Sequence, residues 1–324
     1  MRPTRRNAWF LHFETIMTAT IFIDGEAGTT GLQIREKLAA LTGVAQRSLP
    51  AEARKDPDAK MRLLAEVDLA ILCLPDQAAR DSVALVDSMG AAAPRLIDAS
   101  SAHRVAAGWT YGFPEMAAGQ GEAIARASRV ANPGCYATGA IALLRPLVAA
   151  GLIAPDWPVS INAVSGYSGG GRKMIEAYES GEAPAFELYA LELEHKHIPE
   201  IVSYSGLTRR PIFAPSVGNF RQGMLVSIPL DLDALPGKPD SAELGAALRD
   251  HYEGAEFVSV FPAGDASHAS GAIEPLSLNG TNEMHLHVFA NEARRQAVLV
   301  AKLDNLGKGA SSAAVQNLKL MLGL

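Results

Sequence analysis

A chain of 324 residues is long enough to bury a large core and to divide into two domains. It is 48% hydrophobic and 20% charged, an ordinary globular composition, and a formal net charge of −6 with a pI near 5.8 argues against binding nucleic acid or a membrane surface. No apolar run is long enough for a membrane-spanning helix, and the only two cysteines, Cys73 and Cys135, fit a reducing, cytoplasmic setting in which a special thiol is catalytic and not half of a disulfide.

Residues 1–16 differ in texture from the rest of the chain, with Arg2, Arg5 and Arg6 ahead of the apolar residues 9–13. They read as a disordered extension, or as the product of an upstream start codon with Met17 as the natural beginning. A targeting segment is the alternative, although no signal-peptide cleavage pattern is present. Residues 20–24 then form a buried strand, followed by glycines at 25, 28 and 31 and by Leu32, Ile34, Leu38 and Leu41 at helical spacing. Strand, glycine turn and helix together let a backbone approach a pyrophosphate at a helix N-terminus. Thr29 and Thr30 open that helix. The second strand, residues 44–49, ends without the acidic residue that would hold the ribose hydroxyls of NAD. Arg47 and Ser48 stand there, with Arg54 and Lys55 nearby, so a 2′-phosphate and hence NADP(H) is the better match. A solvated basic loop is the alternative.

A helix near residues 61–64 leads to the apolar strand 69–74, which contains Cys73 as a buried, unpaired thiol and ends at Leu74-Pro75. A helix over 78–89 and a strand over 95–98 come next. This alternation predicts a doubly wound parallel sheet with its ligands at the carboxyl ends of the strands. Ser100, Ser101 and Arg104 lie at one such end; Arg104 is either a clamp for phosphate or carboxylate or an ordinary surface arginine. The next strand end carries Asn132-Pro133-Gly134-Cys135, and an apolar helix begins there. A thiol in the first turn of a helix sits beside unpaired N–H groups and the positive end of the helix dipole, which favour thiolate and make Cys135 the candidate nucleophile.

Beyond this helix the texture changes. A strand over 159–164 runs into the glycine-rich, basic stretch 165–173, either a phosphate or nicotinamide contact through backbone N–H groups or a flexible linker. His195-Lys196-His197 offers a general acid–base near pH 7; with no third ligand at suitable spacing, a zinc site is not expected. The alternating segments 225–230 and 284–289 predict antiparallel strands, with His285 and His287 on one wet face. Residues 298–305 and 311–322 read as two helical stretches around a Gly-Lys-Gly turn.

Several motifs now stand in one order: the glycine turn, Leu74-Pro75-Asp76, Asp98-Ala99-Ser100-Ser101 with Arg104, Asn132-Pro133-Gly134-Cys135-Tyr136, residues 165–171, His195 to Glu200, and residues 304–317. Over about residues 17–324 the chain resembles the N-acetyl-γ-glutamyl-phosphate reductases of arginine biosynthesis in their shorter, type 2 form, within the aspartate-semialdehyde dehydrogenase superfamily. The resemblance implies an N-terminal doubly wound (Rossmann) α/β domain for NADP(H), residues 17–134, completed by the C-terminal helix 302–324. An α+β substrate and dimerisation domain with a mixed or antiparallel sheet would span 135–301. It implies Cys135 as nucleophile toward a small acyl phosphate, release of inorganic phosphate, and His197 as acid–base catalyst, the two histidines remaining interchangeable in principle. Substrate contacts are expected at Ser101, Arg104, Asn132 and His195. Cofactor contacts are expected at Gly25, Gly28, Thr29, Thr30, Gly31, Arg47, Ser48, Leu74, Pro75, Ser165, Gly169 and Asn305. A homodimer or homotetramer is the expected assembly. An aspartate-semialdehyde dehydrogenase or a carrier-linked aminoadipate reductase would share the chemistry; a cofactor-free cysteine hydrolase or acyltransferase, or an NADP-sensing module without turnover, would not.

Overall fold

The computed structural model describes residues 18–54 and 56–324, so the expectations for residues 1–16, Met17 and Lys55 lie outside the described residues. Six parallel strands form the first sheet: β1 (Ala19–Asp24), β2 (Val44–Arg47), β3 (Leu69–Leu72), β4 (Arg95–Asp98), β5 (Thr110–Tyr111) and β6 (Arg129–Ala131), in the order β2-β1-β3-β4-β6-β5. Helices α1 (Thr29–Ala39), α2 (Pro57–Leu64), α3 (Asp76–Asp87) and α4 (Gln120–Arg126) supply the crossovers. The fully buried run of β3 reflects cover on both faces. One face packs Ile34 and Leu38 of α1 on the sheet; the other packs Leu64, Val83 and Val86 of α2 and α3. Local chemistry starts these helices: Asp56 caps α2 by accepting from the Asp58 N–H at 3.0 Å, with Pro57 at the first helical position. From β1 the chain goes to β2 on one side and β3 on the other. The carboxyl ends of β1 and β3 therefore form the switch point where an open α/β sheet takes its ligand.

A long helix, α5 (Cys135–Ala149), leads into the second layer. Nearly all of it is buried, as its apolar sequence requires. Pro146 cannot donate back along the helix, which frees the Ala142 carbonyl, and the Tyr252 hydroxyl donates to that carbonyl at 3.0 Å. The second sheet has seven strands: β7 (Ser160–Gly166), β8 (Phe186–Leu188), β9 (Ile212–Gly218), β10 (Met224–Asp231), β11 (Val258–Phe261), β12 (Met284–Asn291) and β13 (Gln296–Leu303). Their order is β11-β12-β13-β10-β7-β9-β8; β7 with β9 and β11 with β12 are parallel, the other pairs antiparallel. Helices α6 (Gly171–Glu179), α7 (Ile198–Ser205) and α8 (Ser241–His251) complete this half. Side chains of α5, α7 and α8 form one core with the inner face of the sheet. The outer face shows Phe186, Leu188 and Ile212 to solvent.

Two expectations need correction. Residues 298–303 are not helical: they belong to β13, flanked by β10 and β12 along its whole length, so the C-terminal helix expected over 302–324 begins only after residue 306. His287 is buried, bonded through Nδ1 to His268 Nε2 at 3.0 Å and stacked on Phe261, so only His285 remains partly open. Of the two readings of 165–173, the flexible linker is excluded: β7 continues to Gly166, Tyr167–Gly170 form a 3-10 turn, and α6 starts at Gly171.

The chain then returns to the first sheet. A π-helical turn, Gly307–Ser311, leads into α9 (Ser312–Leu322), whose Ala314, Leu318 and Met321 join the core of β1, β3 and α1. Arg95 of β4 donates to the Met321 carbonyl and fastens this last helix. The doubly wound parallel sheet and the mixed second sheet are those expected.

Candidate active site

The carboxyl end of β6 and the start of α5 meet the loop after β4, the start of α7 and the π-helical turn. Between them lies a cavity of about 350 Å³ lined by Thr29, Thr30, Arg104, Asn132, Cys135, Ser165, Gly169, His195, Lys196, His197 and Asn305, among others. The polar hub beneath it is Glu200, a buried residue of the first turn of α7. Its carboxylate accepts from Arg104 Nη1 at 2.7 Å, from the Tyr111 hydroxyl at 2.7 Å and from the Gly134 N–H at 3.0 Å. A buried carboxylate needs such donors, and here they tie the thiol's turn to α7. Arg104 also donates from Nε to the Asn132 carbonyl at 3.1 Å. Burial works against the Arg104 charge, but Glu200, together with Tyr111 and Cys135, outweighs it and holds the guanidinium above its ordinary value.

Gly134 is required by space. Its φ of −78° and ψ of 146° suit any residue, yet a Cβ there would fall 2.5 Å from Arg104 Nη1, Glu200 Oε1 and His197 Nε2 alike. Three functional groups thus converge on the backbone immediately before Cys135. Opposite them, a Cβ on Gly309 would fall 2.7 Å from the Cys135 Cβ, so the π-helical turn closes on the thiol's other side.

Electrostatics at the thiol differ from the expectation. Burial pushes the Cys135 thiol up to about 11; Arg104, the Tyr136 N–H and Lys196 pull the other way, and Glu200 adds to the rise. The helix start does favour thiolate, but desolvation outweighs it, so the resting thiol is protonated near pH 7. His197, buried with Nδ1 unpartnered, is held well below the ordinary histidine value by burial first and then by Arg104, His195 and Lys196. His195 is lowered to about 4 by burial and by the Lys196 and Arg104 charges, and its Nδ1 accepts the His197 N–H at 3.1 Å. Both rings are neutral near pH 7, in the form that accepts a proton. Cys73 is pushed up to about 12 by burial and by Asp98 and Asp24, as an inert interior thiol should be.

Asn132 does not point a free amide into the cavity: Nδ2 donates to the Ala310 carbonyl at 3.0 Å and Oδ1 accepts from Asn317 of α9 at 3.1 Å. Ser101 is drawn off to Asp76, donating from N at 3.0 Å and from Oγ at 2.8 Å, and is absent from the cavity lining. Asn305 bridges the layers, donating to Ser168 Oγ at 3.0 Å and accepting from the Gly223 N–H at 2.8 Å. Ser165 accepts from the Tyr136 hydroxyl at 3.0 Å.

The glycine turn lies on the switch point. Gly25 has φ +91°, and a Cβ on it would fall 2.3 Å from the Cys73 carbonyl; one on Gly31 would fall 2.3 Å from the Gly25 carbonyl. Gly28 completes the turn and Pro75 precedes α3. Beside it a second cavity, about 160 Å³, is walled by Phe22, Gly25, Glu26, Leu49, Arg54 and Leu74 among others. The two cavities flank a turn that lacks side chains at Gly25, Gly28 and Gly31, which fits an extended dinucleotide with one end at Cys135. Ser48 and Arg54 reach the second cavity's rim through Glu26, whereas Arg47 is spent on Glu66 at 2.9 Å.

Comparison with known proteins places the chain. Residues 135–305 match the family model described as the semialdehyde dehydrogenase dimerisation domain. The N-acetyl-gamma-glutamyl-phosphate reductase of Chelativorans sp. (strain BNC1) is 57% identical over 310 residues, covering 94% of this chain and 99% of that protein. The chain belongs to this reductase family. A second member, from Burkholderia cenocepacia, is 54% identical over 308 residues, covering 94% of this chain and 97% of that one. Among solved structures, the aspartate semialdehyde dehydrogenase with NADP from Candida albicans superposes with a TM-score of 0.64 at 13% identity, covering 94% of this chain and 98% of that chain, a likeness of fold.

The motifs picked out in the sequence do bring Cys135, His197, His195, Arg104 and Asn305 to one cavity. Sequence reasoning missed Glu200, Tyr111, Lys196 and Glu26. For Glu200 a signal existed: it closes the His-Lys-His-Ile-Pro-Glu motif in the first turn of a helix, within reach of the same site.

Proposed function

We propose that this protein reduces N-acetyl-γ-glutamyl phosphate to N-acetylglutamate semialdehyde with release of inorganic phosphate, using NADPH. What carries the reading is the convergence at Gly134 of Arg104, Glu200 and His197 on the first turn of the Cys135 helix, in a member of the reductase family. Cys135 is the nucleophile. His197, neutral near pH 7 and close by, takes the thiol proton as sulfur bonds to the γ-carbonyl carbon, so that no free thiolate has to form first. The C–O bond to phosphate breaks, phosphate leaves, and a thioester remains on Cys135. Arg104, held charged by Glu200, faces the departing phosphate. NADPH, when bound, supplies the hydride that reduces the acyl carbon. His197 returns its proton as the resulting hemithioacetal collapses to aldehyde and free thiol. His195 orients the substrate and fixes the start of α7 through the His197 N–H.

Residues 17–134 with α9 form the cofactor half and residues 135–301 the substrate half in this reading. Gly25, Gly28, Gly31, Thr29 and Thr30 would hold the pyrophosphate, and Ser165, Gly169 and Asn305 the nicotinamide end. Leu74 and Pro75 would flank the nucleotide. The open outer face of the second sheet, with Phe186, Leu188 and Ile212 exposed, suits a second copy of the chain in a homodimer or homotetramer. No helix among the described residues is long and apolar enough to cross a membrane, and a biosynthetic role accords with the cytoplasm.

The reverse reaction tests this. Protein, NADP⁺, phosphate and N-acetylglutamate semialdehyde are mixed and NADPH absorbance followed, beside aspartate semialdehyde, NAD⁺ and a Cys135→Ser control. A phosphate-dependent signal with the acetylated aldehyde, lost in Cys135→Ser, is expected. Preference for aspartate semialdehyde would overturn the substrate, and no signal with either aldehyde would overturn the reductase.

A further inference from the structure

The end of β2 holds a charge cluster that the catalytic chemistry does not use. Glu26 follows the first glycine of the nucleotide turn and is only 8% exposed. Ser48 Oγ donates to its Oε2 at 2.7 Å, Arg54 Nη2 donates to its Oε1 at 2.7 Å, and Arg35 Nη1 lies 4.0 Å from Oε2. Ser48 and Arg54 are the donors at this strand end best suited to a phosphate: a hydroxyl and a planar fork. Arg47, closer to the strand, is engaged by Glu66. The cluster borders the second cavity, beside the carboxyl ends of β1 and β3. A carboxylate of the chain therefore occupies the donors that a 2′-phosphate would need.

We propose that Glu26 is a specificity-determining residue of the nucleotide site, an internal anion that must leave Ser48 and Arg54 before the 2′-phosphate of NADP(H) can take them. The proposal rests on the NADP(H) reading above. A phosphate monoester carries about −1.5 to −2 charge near pH 7. It cannot share those two donors with an ionised carboxylate without like-charge repulsion in a half-dry pocket. The cluster meets water on its arginine side, where the Arg35 and Arg54 side chains are 55% and 44% exposed against 10% for Glu26. A nucleotide with a free 2′-hydroxyl leaves the clasp shut. Glu26 thus weakens the phosphorylated cofactor alone and holds selectivity below what Ser48 and Arg54 would confer unopposed.

Calorimetric titration of the whole protein with 2′,5′-ADP and with 5′-AMP tests this without turnover. Native protein binds 2′,5′-ADP the more tightly. Glu26→Gln, which keeps the shape and removes the charge, tightens 2′,5′-ADP by about tenfold and shifts 5′-AMP by less than about twofold, the scale of one close like-charge contact under partial screening. Glu26→Asp, too short to hold both donors, moves the same way by about threefold. Weaker 2′,5′-ADP binding in either variant, or an equal change for both ligands, sinks the exchange and makes Glu26 a positioning residue for its donors. If native protein does not distinguish the two ligands, the NADP(H) reading of this strand end fails first, and the exchange with it.

Discussion

Replacing Gly134 by alanine adds one methyl group where three buried atoms already meet. Ordinary contact begins near 3.4 Å, whereas the new Cβ would stand 2.5 Å from Arg104 Nη1, Glu200 Oε1 and His197 Nε2, so each must retreat by about 0.9 Å. None has free room. Arg104 and Glu200 are locked in a 2.7 Å ion pair, and His197 is buried at the start of α7. The backbone itself is unaffected, because Gly134 has a conformation that alanine adopts without strain. Overpacking of this kind destabilises by about 1–3 kcal/mol. A displacement near 1 Å at the reacting centre lowers rate by roughly a hundredfold. The expected result is a fall in kcat/KM of about 10² to 10³ in the NADPH-forming assay, while 2′,5′-ADP binding stays within about twofold because the nucleotide end is held by other elements. Activity of Gly134→Ala within about threefold of native would refute the convergence of these groups on the thiol's turn.

The Cys135 thiol, pushed up to about 11 chiefly by burial, should be alkylated by iodoacetamide at a rate that climbs from pH 7 to beyond pH 9; a plateau near pH 8 would contradict the burial argument. Arg104→Met removes a cation that lowers this value, so alkylation at a fixed pH 8 slows further. His195 and His287 are each lowered to about 4, and His197 is held well below the ordinary histidine value. The unfolded chain therefore binds more protons once pH drops below about 6.5, and stability is lost as pH falls from there toward 4. Urea midpoints at pH 7 and pH 5 should differ accordingly, and His287→Gln, remote from the thiol, should shrink the difference; equal midpoints for native protein would refute it. Tyr252→Phe strands the Ala142 carbonyl and should cost about 1–2 kcal/mol in urea unfolding with kcat unchanged; no loss would mean that the Pro146 gap needs no partner.

The parts of this protein legible in its sequence are those decided within a few residues. The glycine turn, the apolar strands of the first sheet and the helix start at Cys135 all depend on local spacing, and each stands where that spacing puts it. Failures come where a longer-range fact overrides the local one. Residues 298–303 carry no clean alternation because β13 is paired on both edges and its burial pattern breaks period two, so the apolar run reads as a helix. His285 and His287 do alternate outward together, but Phe261 and His268 cover His287 from an adjoining strand and loop.

The same distinction explains the chemistry. The helix start that favours a thiolate is a local feature and is visible in the sequence; the desolvation that reverses it comes from walls contributed by α7, the π-helical turn and the loop after β4. Glu200 meets its three donors across 66, 89 and 96 residues of sequence, and Glu26 meets Ser48 and Arg54 across 22 and 28. No periodicity links such partners. Their common property is that a buried carboxylate must find donors somewhere, and in each case some of those donors are ones the proposed reading assigns to substrate or cofactor: Arg104 at Glu200, Ser48 and Arg54 at Glu26. At Glu200 the hydrogen bonds keep Arg104 charged and aimed, and the proposed reading gives its remaining N–H groups to phosphate. At Glu26 they occupy the donors that the proposed reading gives to the 2′-phosphate. On that reading one carboxylate prepares an anion site and the other contests one, and only the geometry separates the two roles.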